Sequence, residues 1–248
     1  QLVLGLVEPQ SSGIGGGAFL LAYDAKSHQV ESYDGRETAP ATATPALFLD
    51  AAGKPLPFMT AVVGGRSVGV PGVLRMLELA HKAHGKLPWA DLFQPAIDLA
   101  EKGFAISPRL HYLIATDPAL AASPSARAYF YAADGQPKPA GMLLRNEAYA
   151  ATLRQIAAAG ADVFYSGSIA ADIVATVHDA ANPGGLSLAD LAGYQAKARG
   201  SLCRPYRDWQ VCGMPAPSSG GITTLEILGL LQPFALGDMK PDSAAAVH

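Results

Sequence analysis

The sequence has 248 residues, of which 50% are hydrophobic and 16% are charged, and its formal net charge at pH 7 is −3. A chain of this size buries roughly 70% of its unfolded surface on folding, so it can form a sizeable hydrophobic core. The mild acidity and the lack of a basic block exclude nucleic-acid binding by phosphate neutralisation, and no apolar run approaches the ~20 residues of a membrane span.

The first predicted element is a β-hairpin after a glycine-rich segment. Ala18–Tyr23 is an apolar strand, residues 24–28 form a polar turn, and Val30–Tyr33 alternates as the partner strand. The segment Gly13–Ala18 matches the G-x-G-x-x-A pattern of dinucleotide-binding loops. That motif follows a strand and opens a helix, whereas these glycines lead into a strand. We therefore interpret them as positions of close backbone packing.

The centre of the chain is predicted to be helical. An apolar pattern of helical period runs from Pro71 to Gly85, and a second one runs from Pro88 to Gly103. We expect these two helices to pack as a helical hairpin. Five prolines interrupt residues 105–145, which are predicted to be irregular.

Further helices are predicted after this segment. They cover Glu147–Ala159 and Ile169–Ala181, and Ser187–Asp190 has the spacing of a capping box before a short helix. The pattern becomes strand-like again at Leu202 and at Trp209–Cys212. Strands near both ends with helices between them indicate an α+β fold.

The two cysteines flank a predicted hairpin turn. Cys203 and Cys212 lie on either side of Arg204–Asp208, so a cross-strand disulfide can form if their Cα atoms come within about 7 Å. Two buried thiols are the alternative. Two cysteines alone do not make a zinc site.

A rigid loop, Met214–Gly221, leads into the apolar helix predicted at Ile222–Leu231. Two serines and two glycines stand where the helix begins: Ser218, Ser219, Gly220 and Gly221. Their backbone N–H groups could bind an anion. A helix cap with a turn is the alternative interpretation.

One motif suggests a serine nucleophile. Gly65–Gly69 matches G-x-S-x-G, in which the serine stands between a strand and an immediate helix. Ala61–Val63 is a candidate strand, but Pro71 places the helix start several residues after Ser67. A serine hydrolase therefore stays only an alternative. The six histidines have no metal-ligand spacing, and we expect no metal site.

Arg36 is the strongest candidate for ligand binding. It lies beside Glu37 in the loop Asp34–Pro40, directly after a predicted strand. A guanidinium in this place can hold a carboxylate with two parallel hydrogen bonds. A structural ion pair with Glu37 is the alternative.

Several blocks of the sequence, in the same order, resemble the γ-glutamyltranspeptidase family. They cover nearly the whole chain, and residues 105–145 match least. The blocks are Glu8–Phe19, Asp34–Pro40, Ser67–Gly72, Ala80–Trp89, Pro95–Phe104 and Tyr206–Gly221. The resemblance implies an N-terminal-nucleophile hydrolase with a four-layer αββα sandwich, completed by a second chain.

The resemblance also implies a mechanism. In this family a precursor cuts itself into a large and a small subunit, and the new N-terminal Thr of the small subunit attacks a γ-glutamyl amide. The acyl group then passes to water, an amino acid or a peptide. Glutathione or another γ-glutamyl compound is the expected donor, and no metal or organic cofactor is expected.

The family's Thr nucleophile has no counterpart here: Gln1 is not a nucleophile, and Thr223 and Thr224 lie in another block. Residues 1–248 are therefore expected to be a single domain, part of a large subunit that lacks its N-terminal helical part and the small subunit. By resemblance Arg36 binds the substrate α-carboxylate, and Glu37 orients Arg36 or the loop. The loop of Ser218–Gly221 is expected to frame the site, and no catalytic residue is expected in this chain.

Two further alternatives share the fold. One is a related acylase of the glutaryl-cephalosporin type, and the other is a non-catalytic binding homologue. The expected partners are the small subunit and a γ-glutamyl compound. We expect a periplasmic or secreted bacterial protein.

Overall fold

Helices fill most of the chain between strands near its two ends. The computed structural model describes residues 1–179 and 182–248. The α-helices are α1 (Leu4–Val7), α2 (Phe58–Val62), α3 (Val73–His84), α4 (Gln94–Lys102), α5 (Pro108–Thr116), α6 (Pro118–Ala122), α7 (Pro124–Phe130), α8 (Glu147–Ala159), α9 (Asp162–Tyr165), α10 (Gly167–Asp179), α11 (Leu188–Gly193), α12 (Gly220–Leu231) and α13 (Ala244–Val247). The strands are β1 (Ala18–Asp24), β2 (Gln29–Gly35), β3 (Phe104–Ala105), β4 (Leu143–Leu144), β5 (Lys197–Gly200), β6 (Leu202–Tyr206) and β7 (Trp209–Gly213). This mixed content agrees with the predicted α+β class.

The described residues divide into two units. The first unit comprises Gln1–Ala18 and Gly35–Ala196, and the second comprises Phe19–Asp34 and Lys197–His248. Within the described ranges, no helix has both the length and the apolar character that crossing a bilayer requires.

Helices build the core of the first unit. The predicted helix after Pro71 is confirmed as α3, and its Val73, Leu74 and Met76 are buried. The second predicted helix is divided into a 3₁₀ turn at Trp89–Leu92 and α4. The expected pairing of this helix with α3 is wrong, because α4 packs mainly against α8. The Trp89 indole, on the preceding turn, donates a hydrogen bond to the Ile156 carbonyl of α8 at 3.1 Å.

The prediction that residues 105–145 are irregular is wrong for residues 108–130 and agrees with the turns and loops of residues 132–142. Three short helices, α5, α6 and α7, each have a proline in their first turn, where the missing N–H costs no hydrogen bond. The Ser107 side chain accepts a hydrogen bond from the Leu110 N–H, and the Asp117 carboxylate accepts from two N–H groups of α6. The prolines start these helices rather than prevent them.

The three helices predicted after residue 145 are present in the first unit. The range predicted at Glu147–Ala159 is confirmed as α8. The helix predicted at Ile169–Ala181 is α10, and its predicted end at Ala181 lies outside the described residues. Ser187 and Asp190 form the predicted capping box at the start of α11.

The second unit contains two small sheets and α12. One sheet has the order β1-β2-β5, in which β2 pairs with β5 in antiparallel register. Ser32, Tyr33 and Asp34 are all buried, so the predicted alternation along β2 is wrong at its end. Asp34 accepts a hydrogen bond from Arg199 Nε on β5 at 2.7 Å, which explains how a carboxylate can be buried there.

The second sheet confirms the hairpin around the cysteines. Cys203 on β6 and Cys212 on β7 stand opposite each other, with Cα atoms 4.1 Å apart, and form a disulfide. The two-thiol alternative is therefore wrong. The strands also extend further than predicted, since β6 continues to Tyr206 and only Arg207 and Asp208 remain between them. Helix α12 packs against both strands.

Candidate active site

A cavity of about 500 Å³ lies in the first unit. It brings together three segments that the sequence singled out separately. The lining includes Gly15, the loop of Arg36–Pro40, Leu47, Phe48 and the segment Arg66–Gly69. The structure therefore gives Arg36 a concave surface on which a small ligand can rest.

Arg36 and Glu37 form an ion pair on the wall of this cavity. Arg36 Nη1 lies 3.1 Å from Glu37 Oε2, and the side chains are 57% and 31% exposed. Glu37 Oε2 is buried and makes no hydrogen bond within the described residues, so its charge depends on the guanidinium for compensation. The pair agrees with the structural alternative, and it also holds Arg36 at the cavity with more than half of its side chain exposed.

The glycine-rich segment supports this wall and the start of α3. A Cβ atom on Gly17 would overlap the carboxylate and the main chain of Glu37. The Gly16 carbonyl accepts hydrogen bonds from the N–H groups of Gly72 and Val73, at 3.0 and 3.1 Å. It thereby satisfies donors that a helix N-terminus leaves free. This confirms the close-packing interpretation at Gly17, whereas Gly13 and Gly15 have open space where a Cβ atom would lie. Strand β1 follows the glycines as predicted.

The serine of the G-x-S-x-G motif is not placed as a nucleophile elbow requires. Its predicted strand is helical, since Ala61 and Val62 belong to α2. The Ser67 hydroxyl donates a hydrogen bond to the Val62 carbonyl at 2.6 Å. The motif folds as a loop wall of the cavity, and the serine-hydrolase alternative has no support from this geometry.

Arg66, inside the same motif, is the cavity residue that the sequence analysis missed. Its Nε donates to Asn182 Oδ1 at 2.8 Å, and its Nη1 donates to the Leu47 carbonyl at 3.1 Å. A cation within a glycine-flanked loop was the available signal, as it was for Arg36. Two guanidinium groups and one carboxylate, that of Glu37, line the cavity, which leaves one net positive charge and favours an anionic ligand.

The loop after Arg36 is tied to the rest of the first unit. Thr38 and Val70 exchange two backbone hydrogen bonds, at 2.8 and 3.3 Å. The Ala41 N–H donates to Asp190 Oδ1 at 2.9 Å, while Asp190 Oδ2 accepts from the Ser187 hydroxyl at 2.6 Å. The Ser187 hydroxyl bond is the largest cause of a pKa of Asp190 below its usual value. The capping box of α11 therefore also anchors this loop.

The serine–glycine loop belongs to the second unit. Ser218 Oγ accepts a hydrogen bond from the Gly220 N–H at 3.3 Å, and Ser219 makes no side-chain cap. A Cβ atom on Gly221 would overlap the Met214 carbonyl. These contacts agree with a cap and turn at the start of α12, and the framing role expected for Ser218, Ser219, Gly220 and Gly221 stays a prediction.

The histidines are engaged in local contacts. His81 Nε2 lies 2.8 Å from the Leu87 carbonyl, and His178 Nε2 lies 2.8 Å from the Leu186 carbonyl. Among residues 1–179 and 182–248, no three His, Cys, Asp or Glu side chains are grouped so that they could hold a metal ion.

Comparison with known proteins gives consistent matches. A family model described as gamma-glutamyltranspeptidase matches residues 1–248. Glutathione hydrolase proenzyme from Bacillus subtilis (strain 168) is 39% identical over 236 residues, which are 95% of this chain and 40% of the relative. Acylase ACY 1 proenzyme from Pseudomonas sp. (strain SE83) is 36% identical over 258 residues, covering 99% of this chain and 44% of the acylase. The crystal structure of Helicobacter pylori gamma-glutamyltranspeptidase matches with a TM-score of 0.94 at 31% identity, over 100% of this chain and 70% of that one. The chain thus spans less than half the length of these two curated relatives.

Proposed function

The chain belongs to the gamma-glutamyltranspeptidase family, and on this premise we propose that it is the large-subunit part of an enzyme that cleaves γ-glutamyl amides such as glutathione. The observation that supports this proposal most directly is the Arg36 guanidinium on the wall of a cavity with a net positive charge. A γ-glutamyl group has an α-carboxylate that such a guanidinium can hold through two parallel hydrogen bonds.

Arg36 binds and orients the substrate in this proposal, and the bond-breaking groups lie outside the chain. The hydroxyl of the small subunit's N-terminal Thr attacks the γ-amide carbonyl, while the amine of the same Thr takes the hydroxyl proton and passes it to the leaving amine. Water or an amino acid then attacks the resulting ester and releases the Thr. Glu37 keeps the Arg36 guanidinium at the wall through the 3.1 Å ion pair.

The second chain is a small subunit cut from the same precursor. We propose that it completes a four-layer αββα sandwich and that residues 1–248 alone are inactive. The word "proenzyme" in the names of the Bacillus subtilis and Pseudomonas relatives supports a precursor that is processed.

We also propose a periplasmic or secreted location. The Cys203–Cys212 disulfide supports it, because disulfides persist in oxidising compartments and are rare in the cytosol. Maleimide labelling of protein taken from intact cells tests this point. Two free thiols in the cellular protein would contradict it.

The activity test uses the complete, processed protein. We expect it to release p-nitroaniline from L-γ-glutamyl-p-nitroanilide. Release that increases with glycylglycine indicates transfer, and release that does not respond indicates mainly hydrolysis. A fully processed two-chain protein that releases no p-nitroaniline contradicts the proposal, and extent of processing is read from a denaturing gel.

A related acylase is the second candidate, favoured by the similarity to the Pseudomonas acylase over 99% of this chain. It is distinguished by a preference for glutaryl-p-nitroanilide, which keeps the carboxylate and lacks only the α-amino group, over the γ-glutamyl donor. A non-catalytic homologue is the remaining alternative, and it would cleave neither donor.

A further inference from the structure

Tyr194 contacts the main chain of Arg36 from a distant part of the sequence. Its phenol donates a hydrogen bond to the Arg36 carbonyl at 2.7 Å, across a separation of 158 residues. Tyr194 is only 6% exposed, so solvent does not readily replace this bond. The contact fixes the backbone from which the guanidinium extends.

A stack of side chains holds the Tyr194 ring in place. The rings of Tyr194 and Tyr165 are stacked, with centroids 6.0 Å apart and planes inclined by 9°. Tyr165 is fully buried, and its phenol accepts a hydrogen bond from the Arg75 N–H at 3.2 Å. The Arg75 guanidinium also lies over the Tyr165 ring, with its Cζ atom 4.6 Å from the ring centroid. Tyr194 therefore has little freedom to turn away from Arg36.

The space for the Tyr194 hydroxyl depends on a glycine. A Cβ atom on Gly72 would overlap both Tyr194 Oη and the Gly35 carbonyl. Gly35 directly precedes Arg36, and Gly72 directly precedes α3. The phenol is thus held between the start of a helix and the residue that enters the cavity wall.

We propose that Tyr194 is a positioning residue, which aims the Arg36 guanidinium at the substrate carboxylate through its hydrogen bond to the Arg36 carbonyl. This inference rests on the proposed function. Without that bond the peptide after Arg36 can rotate, and a displaced guanidinium loses the alignment that two parallel hydrogen bonds require. The effect should fall on substrate binding, because Tyr194 does not line the cavity and acts only through the residue that holds the carboxylate.

The test compares two phenol deletions in the complete, processed protein. Tyr194→Phe keeps the stacked ring and removes the hydroxyl. Tyr131→Phe is the matched control, since Tyr131 is 8% exposed and its phenol also donates to a backbone carbonyl at 2.7 Å, that of Ile114. We expect Tyr194→Phe to raise KM for L-γ-glutamyl-p-nitroanilide about three- to tenfold. This factor corresponds to the net free energy of one hydrogen bond. The value of kcat should stay within about twofold, and the control should leave KM unchanged.

A double substitution separates positioning from general destabilisation. If Tyr194 acts through Arg36, Tyr194→Phe has no further effect on KM when Arg36 is already alanine. An equal rise in KM in both backgrounds, or in the Tyr131 control, overturns the inference. So does an unchanged KM in a Tyr194→Phe enzyme whose wild type cleaves the donor. A processed wild type that cleaves no γ-glutamyl donor instead contradicts the proposed function, so the two failures are distinguishable.

Discussion

The guanidinium groups of the two cavity arginines, Arg36 and Arg66, have different partners. Arg66 uses Nε and Nη1 to hold Asn182 and Leu47, so it joins distant loops of the first unit. Arg36 pairs with its neighbour Glu37 and keeps 57% of its side chain exposed. An exposed guanidinium such as that of Arg36 can bind a ligand. The guanidinium of Arg66 mainly stabilises the loops that form the cavity wall. Arg36 is therefore the residue whose loss should affect substrate binding.

The first prediction concerns Arg36→Ala in the complete, processed protein. Loss of a charge-assisted hydrogen bond to the donor's α-carboxylate removes about 1.5–3 kcal/mol of binding, which raises KM roughly ten- to hundredfold. Steady-state kinetics with L-γ-glutamyl-p-nitroanilide measure the change. Arg109→Ala is the control, because Arg109 also forms an exposed ion pair, with Glu8 at 3.3 Å, and does not line the cavity. An unchanged KM in Arg36→Ala would rule out the assigned role.

The sequence identifies some of these residues and not others. Arg36 could be found because a cation between glycine and proline in a loop is unusual and local. Arg66 was hidden by the G-x-S-x-G pattern, which drew attention to Ser67. Tyr194 gave no signal, since its partner lies 158 residues away and it only follows the end of a short helix.

At the scale of elements, a proline can either interrupt regular secondary structure or stand in the first turn of a helix. In residues 105–145 it suggested irregular backbone, yet Pro108, Pro118 and Pro124 all start helices. The residue before each proline, Ser or Asp, was the signal for a helix start. Hydrophobic periodicity and capping residues thus predict helices well when the position of each proline relative to a capping residue is considered, rather than the number of prolines in a segment.

The second prediction compares two caps of these helices. Ser107 accepts a hydrogen bond from the Leu110 N–H at 3.0 Å, whereas Ser123 occupies the same position before α7 without a side-chain cap. Ser107→Ala should cost about 1 kcal/mol, a fall in Tm of about 2–4 °C. Ser123→Ala should change Tm by less than about 1 °C. Differential scanning calorimetry measures both, and equal shifts would show that the cap bond does not stabilise α5.

The third prediction uses the pH dependence of the capping box of α11. The folded-state pKa of Asp190 is lowered, chiefly by the Ser187 hydroxyl, so its stabilisation is complete above the unfolded pKa of about 3.9 and lost as pH falls through the folded value. Both carboxylate oxygens of Asp190 accept hydrogen bonds, whereas asparagine has only one side-chain oxygen. Asp190→Asn should therefore lower the free energy of unfolding by about 1 kcal/mol near neutral pH. The Tm difference from wild type should shrink below about pH 4.

Asp172→Asn, at an exposed site on α10, is the control for this pH dependence. A difference that does not vary with pH would contradict the assignment.

At the scale of the molecule, the sequence predicts elements better than their partners. Strand β2 pairs with β5, and the bond from Arg199 to Asp34 spans 165 residues. Helix α4 packs on α8 rather than on its neighbour in sequence, α3. Hydrophobic periodicity reports that an element has a buried face, and it does not say which element covers that face. Local patterns therefore predict the α+β class, and the four-layer αββα sandwich that the family resemblance implies stays a prediction.

The last prediction concerns helix α12 of the second unit, where one charged side chain, Glu226, stands among apolar residues. Ile227 and Leu230 of this helix are 51% and 71% exposed. A helix that is apolar on nearly all sides is normally covered, and we expect the proposed small subunit to cover it. Leu230→Glu should therefore weaken assembly of the processed chains by at least about tenfold, since it places a charge in an apolar contact. Size-exclusion chromatography across a dilution series measures this, with Leu188→Glu, at a 51% exposed leucine of α11, as the control. Assembly that withstands Leu230→Glu as well as the control would mean that α12 faces solvent in the complete protein.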